Sequence, residues 1–250
     1  MVFRYGNAGD IFNKDLIQYL YKDVTIANNQ KQQNKFLLVG SIMNIVEEGD
    51  IINGIGWKGN DLSKKQEIIE KSLVYGVRGP LTLGLFQKYG TDLSTLKFQY
   101  DPGLLIKEVY EVDLTKASEK NVIFIPHYKD LWIYKNYPDG VKVINIDNKP
   151  NTIINEILKA KVVYASSLHG IIFAHALNKP CIFVAPQTDE PIFKYEDYFL
   201  SRSMDLPKIV KNIHDISFTR DHQTLPSYTV SVNDFWFPEK NELKRLGSIN

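Results

Sequence analysis

The stretch richest in chemistry is Val162-Val163-Tyr164-Ala165-Ser166-Ser167-Leu168-His169-Gly170. An apolar, β-branched run stops at two serines, either of which is a good cap for the helical pattern that follows. His169 then falls in the first helical turn, where unpaired N–H groups and the helix dipole favour an anion. An imidazole there can act as acid or base, bind that anion, or simply bond a neighbouring carbonyl.

Other reactive groups also follow apolar runs. Arg78 comes after Leu73-Val74-Tyr75-Gly76-Val77. Its guanidinium can grip a carboxylate or phosphate with two parallel hydrogen bonds, or pair with a nearby surface acid. Pro126-His127-Tyr128-Lys129-Asp130 puts a ring, a phenol and an ammonium in one loop, unless it is an ordinary polar loop. Asn7-Ala8-Gly9-Asp10 precedes a helical run from Ile11 to Tyr21. There Asp10 either presents a carboxylate to a ligand or caps the helix, the commoner role. Ser41 after Gly40, Gly56 and Trp57 in Gly54-Ile55-Gly56-Trp57, and Asp101 before Pro102-Gly103 complete the set. Lys194, Asp197 and Tyr198 either line a cleft or lie on an exposed amphipathic segment, the default for that pattern.

Several classes of chemistry are disfavoured. Gly54-Ile55-Gly56 lacks the third glycine of a dinucleotide fingerprint, and no Walker lysine pattern or Gly-x-Ser-x-Gly elbow is present. His169 and His175 are six positions apart and face different sides of a helix. With no cysteine cluster either, no metal site is expected. A net charge of +1 over 250 residues argues against nucleic-acid binding, which needs a basic face. The single cysteine, Cys181, permits no internal disulfide and suits a reducing compartment. Met1 to Tyr5 leads into no hydrophobic region of a signal peptide, and no apolar run approaches the roughly 20 residues of a membrane span. A soluble cytoplasmic protein is the expectation.

The elements that must carry these residues alternate as in an α/β protein with parallel sheets. Strand patterns at Lys35–Val39, Asp50–Asn53, Leu73–Val77 and Lys97–Tyr100 are followed by a charged, core-poor stretch, Lys107–Lys120, that reads as a linker. The pattern restarts at Asn121–Ile125, Val141–Ile146, Val162–Ala165 and Cys181–Ala185. This predicts two Rossmann-like domains, residues 1–112 and 113–228, with a tail at 229–250 that is helical near its end. The polar and glycine residues cluster just after strands, so they share sheet edges; two such edges facing each other form a ligand cleft.

Taken in order, Asn7-Ala8-Gly9-Asp10, Val39-Gly40-Ser41, Gly54-Ile55-Gly56-Trp57, Val77-Arg78-Gly79-Pro80, Asp101-Pro102-Gly103, Ile125-Pro126-His127-Tyr128, Ser166-Ser167-Leu168-His169-Gly170 and Lys194–Tyr198 resemble the polysaccharide pyruvyl transferase family. The resemblance implies a fold similar to type B glycosyltransferases, with the ligand between two Rossmann-like halves. It also implies pyruvyl transfer from phosphoenolpyruvate to a sugar of a cell-surface polysaccharide, forming a ketal and releasing phosphate. The implied partners are phosphoenolpyruvate and a saccharide or lipid-linked oligosaccharide acceptor, met in the cytoplasm or at the inner membrane face. No metal or organic cofactor is required. On this reading His169, Arg78, His127 and Asp10 are catalytic. Asn7, Gly9, Ser41, Gly56, Trp57, Asp101, Lys129, Ser166, Ser167, Gly170 and Lys194 bind substrate. Many members carry arginine just before the Leu-His pair, where this chain has Ser167. A nucleotide-sugar glycosyltransferase of the same architecture and a non-catalytic glycan-binding member are the alternatives.

Overall fold

In the computed structural model, which describes residues 7–24, 34–215 and 222–248, two sheets carry the chain. Met1–Tyr5, read above for a leader, lies outside the described residues. The first part runs α1 (Ala8–Leu20), β1 (Phe36–Leu37), β2 (Ile51–Asn53), α2 (Gln66–Glu70), β3 (Leu73–Val77), α3 (Pro80–Lys88) and β4 (Phe98–Gln99). Its four strands pair in the order β1-β2-β3-β4, all parallel. After α4 (Ile106–Val109) come β5 (Asn121–Ile125), β6 (Val141–Val143), α5 (Pro150–Leu158), β7 (Ala160–Ala165), α6 (Leu168–Ala176), β8 (Cys181–Phe183), α7 (Phe193–Ser201), β9 (Gln223–Thr224) and α8 (Lys240–Arg245). The second sheet has the order β6-β5-β7-β8-β9 and is parallel except for β9.

The local reasons are conventional. β2 is buried throughout and β7 at all but Lys161, as expected of strands covered on both faces. Pro80 and Pro150 open α3 and α5, where a missing N–H costs nothing. Several strands are shorter than their apolar patterns. Val141–Ile146, for example, holds strand geometry only through Val143. β9 has no periodic pattern of its own and forms only because β8 offers it an edge.

Two stretches behave differently from expectation. Lys107–Lys120 is no loose linker: it contains α4 and a 3-10 turn at Leu114–Lys116, and Val109, Tyr110, Val112 and Leu114 pack on the main core. The buried Lys179 ammonium also holds it, donating to the carbonyls of Ser118 and Ala160 at 2.8 Å each. Helix α1 precedes the first sheet yet buries Ala8, Phe12 and Leu16 in the same core as α5, α6 and β7. The Phe12 ring meets Phe173 of α6 edge-on at 6.0 Å, and the Ala8 N–H donates to the Ile146 carbonyl at 2.9 Å. Each such large apolar side chain contributes about 1.5–3 kcal/mol on burial, so this shared core ties the two sheets together. The tail returns to the first sheet: Leu243 of α8 packs with Ile51 and Tyr75, and the Tyr75 hydroxyl donates to Glu242 at 2.6 Å.

Candidate active site

The residues singled out above emerge from the carboxyl ends of strands of both sheets and from the start of α1. They form two largely buried polar clusters, which helix α7 links through Lys194 and Asp197.

The first centres on Arg78 and Asp197, both fully buried. Arg78 Nε donates to Asp197 Oδ2 at 2.9 Å, Nη1 to the Ser41 hydroxyl at 2.5 Å, and Nη2 to the Trp57 carbonyl at 2.6 Å. Asp197 Oδ1 accepts from the N–H groups of Leu81 and Thr82 at 2.9 and 3.0 Å, and Oδ2 accepts from the Thr82 hydroxyl at 2.6 Å. Asp197 thus caps α3 from the far half of the chain, at the positive end of that helix. Two glycines make room: a Cβ on Gly56 would lie 2.0 Å from the Arg78 guanidinium carbon, and one on Gly79 would lie 2.1 Å from the Asp197 carbonyl oxygen. Asp101 is buried beneath this knot and accepts from the Gly103 N–H at 2.8 Å; burial, opposed by Arg78, pushes its carboxyl up to about 6.

This changes three expectations. The guanidinium of Arg78, read as a free grip for a ligand anion, donates three of its five N–H groups to Asp197, Ser41 and Trp57. Ser41 is correspondingly held by Arg78. Lys194, Asp197 and Tyr198 are buried, not an exposed amphipathic face.

The second cluster surrounds His127 and His169. The His127 N–H donates to the Ser166 hydroxyl at 2.8 Å, which in turn donates to Asp130 at 3.1 Å. Asp130 also accepts from the N–H groups of Gln187 and Thr188 and from the Thr188 hydroxyl, so it binds together the loops after β5, β7 and β8. Ser166 is therefore a buried brace and not a cap. Ser167 caps α6, accepting from the Gly170 N–H at 3.3 Å. Gly170 packs under β5, where a Cβ would come within 3.0 Å of Ile125. Asn7 and not Asp10 caps α1, accepting from the Gly9 N–H at 2.9 Å.

His169 stands half-buried in the first turn of α6, stacked on Phe173 at 5.9 Å. The backbone of Gly9 lies against its ring; a Cβ there would sit 2.1 Å from Nδ1. No hydrogen bond holds the His169 side chain among the described residues. Burial, reinforced by the positive charges of Lys194 and Arg78 and by His127, lowers its pKa to about 3. His127 is buried, its Nδ1 has no hydrogen-bond partner, and burial together with Lys194 lowers it to about 4. Glu190 sits between the cations, 2.7 Å from both Lys129 and Lys194 and 3.8 Å from His127 Nε2. Burial would raise Glu190, but the hydrogen bonds from the two lysines outweigh it and hold it at about 2. The buried Lys194 ammonium is lowered to about 8.

Asp10, in the first turn of α1, is raised by burial and by Asp147, against the pull of Lys58. Trp57 meets Phe193 of α7 edge-on at 4.8 Å, another contact between the halves. Lys58 and Glu190 are neighbours that sequence reasoning did not place in the site, and Asp197 was weighed only as a cleft-lining alternative to an exposed position. Lys58 follows the Gly54–Trp57 motif directly, and that adjacency is the signal by which it can be found. Among the described residues no three His, Cys, Asp or Glu side chains converge to hold a metal ion, and no helix is long and apolar enough to cross a membrane.

Two histidines, lysines from both halves and an arginine thus gather near the start of a capped helix, with Arg78 held by Asp197 and with Lys129 and Lys194 held by Glu190. The chain matches the family described as Polysaccharide pyruvyl transferase over residues 9–188. It is 31% identical over 246 residues to the uncharacterized protein L143 of Acanthamoeba polyphaga mimivirus, covering 92% of this chain and 79% of that protein. It is 25% identical over 211 residues to the succinoglycan biosynthesis protein ExoV of Rhizobium meliloti (strain 1021), covering 78% of this chain and 61% of ExoV. The crystal structure of the functional uncharacterized protein KP1_0663 from Klebsiella pneumoniae subsp. pneumoniae NTUH-K2044 aligns with a TM-score of 0.45 at 15% identity, over 84% of this chain and 90% of that one. The stretch matched to the family spans both sheets and takes in Arg78, His127 and His169, and on it the chain belongs to the polysaccharide pyruvyl transferase family.

Proposed function

We propose that this protein transfers a pyruvyl group from phosphoenolpyruvate to two hydroxyls of a saccharide, forming a cyclic ketal and releasing phosphate. The observation that carries this reading is the pair of neutral histidine rings, one with an unpartnered buried nitrogen, set among Lys194, Lys58 and Arg78.

Phosphoenolpyruvate brings a carboxylate and a phosphate into that region. Its negative charge reverses the local field, and His169 takes up a proton as the donor binds. His169 then protonates C3 of the donor, making the methyl group and leaving oxocarbenium character at C2. The first acceptor hydroxyl adds to C2 and gives its proton to Asp10, whose raised pKa suits a general base. The C2–O bond to phosphate breaks, the bonding pair leaving with the phosphate beside Lys194 and the N–H groups of α6. The second hydroxyl closes the ketal, and its proton neutralises the departing phosphate. His127 shares the anion with His169. Lys129 lies on the rim. Arg78 acts by position, locking the first sheet to α7 through Asp197.

Ser167, standing where many relatives carry arginine, caps α6; Lys58 and Lys194 supply the charge in its stead. The acceptor is a polysaccharide unit or its lipid-linked precursor, and the work is done in the cytoplasm or at the inner membrane face.

Melting temperature measured with phosphoenolpyruvate and with nucleoside diphosphates tests the donor. A ligand at about 100 times its Kd adds roughly 2.7 kcal/mol, so stabilisation by phosphoenolpyruvate alone is expected. Phosphate release with a panel of saccharides then tests transfer. Stabilisation by the nucleotide alone points to glycosyl transfer, and binding without phosphate release points to a non-catalytic protein.

A further inference from the structure

Glu190 is the member of the second cluster that no motif marks. It lies in the loop after β8, whose backbone at Gln187 and Thr188 is tied to Asp130, so its position is built and not incidental. Its oxygens are divided: Oε1 accepts from Lys129 and faces His127, while Oε2 accepts from Lys194. The two lysines differ in kind. Lys129 is 47% exposed at its side chain and needs no counter-ion, whereas that of Lys194 is 6% exposed. Lys194 lies four residues on, in the first turn of α7, with its ammonium 5.0 Å from the centre of the Tyr195 ring.

Every other charge near Lys194 either repels it or is engaged elsewhere. Lys58 and Arg78 push its proton off. Asp197 is committed to Arg78 and α3, Asp130 to Ser166 and Thr188, and Asp10 faces Lys58 and Asp147. His127 and His169 carry no charge at neutral pH. Among the described residues, Glu190 alone pulls the other way.

We propose that Glu190 is a positioning residue: it holds the Lys194 ammonium beside His127 and His169 as the cation that receives the donor's phosphate. The inference rests on the reading of function given above. Burial places the loss of that cation at about pH 8 in the native protein. Donor binding therefore weakens as pH rises through this value. Withdrawing an opposite charge at hydrogen-bond distance moves such a limb by about one to three pH units, here downward.

The experiment pairs two readouts on wild type, Glu190→Gln and Glu190→Asp. One is the pH dependence of phosphoenolpyruvate binding. The other is titration of the lysine side chains by carbon–proton NMR in the ligand-free protein, with Lys194→Met identifying the resonance. The expected result is a wild-type Lys194 titrating near pH 8, a Glu190→Gln limb shifted down by a unit or more in both readouts, and a smaller shift in Glu190→Asp. Should Glu190→Gln not fold, the smaller shift in Glu190→Asp decides. Unchanged limbs in a wild-type-like binder of phosphoenolpyruvate overturn the role of Glu190 while leaving the function standing. A wild type that does not bind phosphoenolpyruvate at any pH overturns the assignment of the donor, and the NMR limb then shows separately whether Glu190 holds Lys194 charged.

Discussion

The Arg78–Asp197 knot and the His127–His169 cluster are both largely buried and both polar, and α7 serves both, yet they are finished to different degrees. In the knot both carboxylate oxygens accept, the guanidinium donates to three partners, and two glycines keep the fit close. In the cluster two imidazoles are denied their protons, and one buried nitrogen has no partner among the described residues. A satisfied buried network rigidifies what it joins. An orphaned buried nitrogen costs about 1–3 kcal/mol unless a water or a ligand meets it. On the proposed function, that difference separates the residues that hold the site from those that would act in it.

Substitutions test that division. His169→Ala removes the proposed acid, whose ring makes no hydrogen bond among the described residues. The expected loss is about 10²- to 10⁴-fold in turnover with little change in stability, read from phosphate release beside a melting curve. A large drop in melting temperature with wild-type turnover would move His169 to the structural side. Asp197→Ala strands the Arg78 charge and uncaps α3. Breaking one partner of a buried pair costs about 3–5 kcal/mol, and urea unfolding should show it. A loss below about 1 kcal/mol would mean that the knot is not what joins the halves.

Acid should act on the buried histidines first. His127 and His175 are buried and neutral. Thr224 Oγ1 donates to the Cys181 carbonyl, so it accepts from His175 Nε2–H, and His175 Nδ1 accepts from the Tyr198 hydroxyl. With folded values near 4 and 3, both rings bind fewer protons folded than unfolded below the ordinary value of 6.5. Stability is then full above about pH 6.5 and falls as pH drops toward 4, by about 2 kcal/mol per ring between pH 7 and 5. Asp101, raised to about 6, works in the opposite direction between pH 6 and 3.8 and offsets about 1 kcal/mol of it. Unfolding at pH 7 and pH 5 measures the net fall, and no fall would mean that the rings are charged or solvated. The smallest expected effect is proton uptake, up to about one proton, when phosphoenolpyruvate binds at neutral pH. Calorimetry in buffers of differing ionisation enthalpy reads it, and His169→Ala should abolish most of it.

Much of this was readable in the chain. A helix start at the Ser166-Ser167 pair, the strand at Asn121–Ile125, the proline-opened helix at Pro80 and the placement of His127, His169 and Arg78 after strands all follow from local patterns. The roles were less so. Asn7 displaces Asp10 as a cap because an asparagine side chain two residues before Gly9 reaches its N–H first. The segment Phe193–Tyr198 reads as amphipathic and exposed, yet both of its faces are covered, one by α3 and the other by the core under β8.

What the sequence determined by itself is where each element starts and stops and which side chains leave the strand ends, because capping, periodicity and backbone sterics act over a few residues. What only the tertiary structure decided is which of those side chains became a brace and which stayed available. Arg78 meets Asp197 across 119 positions, and Lys129 meets Glu190 across 61. Desolvation and Coulomb energy depend on neighbours in space, so a charged residue has no settled role until the chain has folded around it.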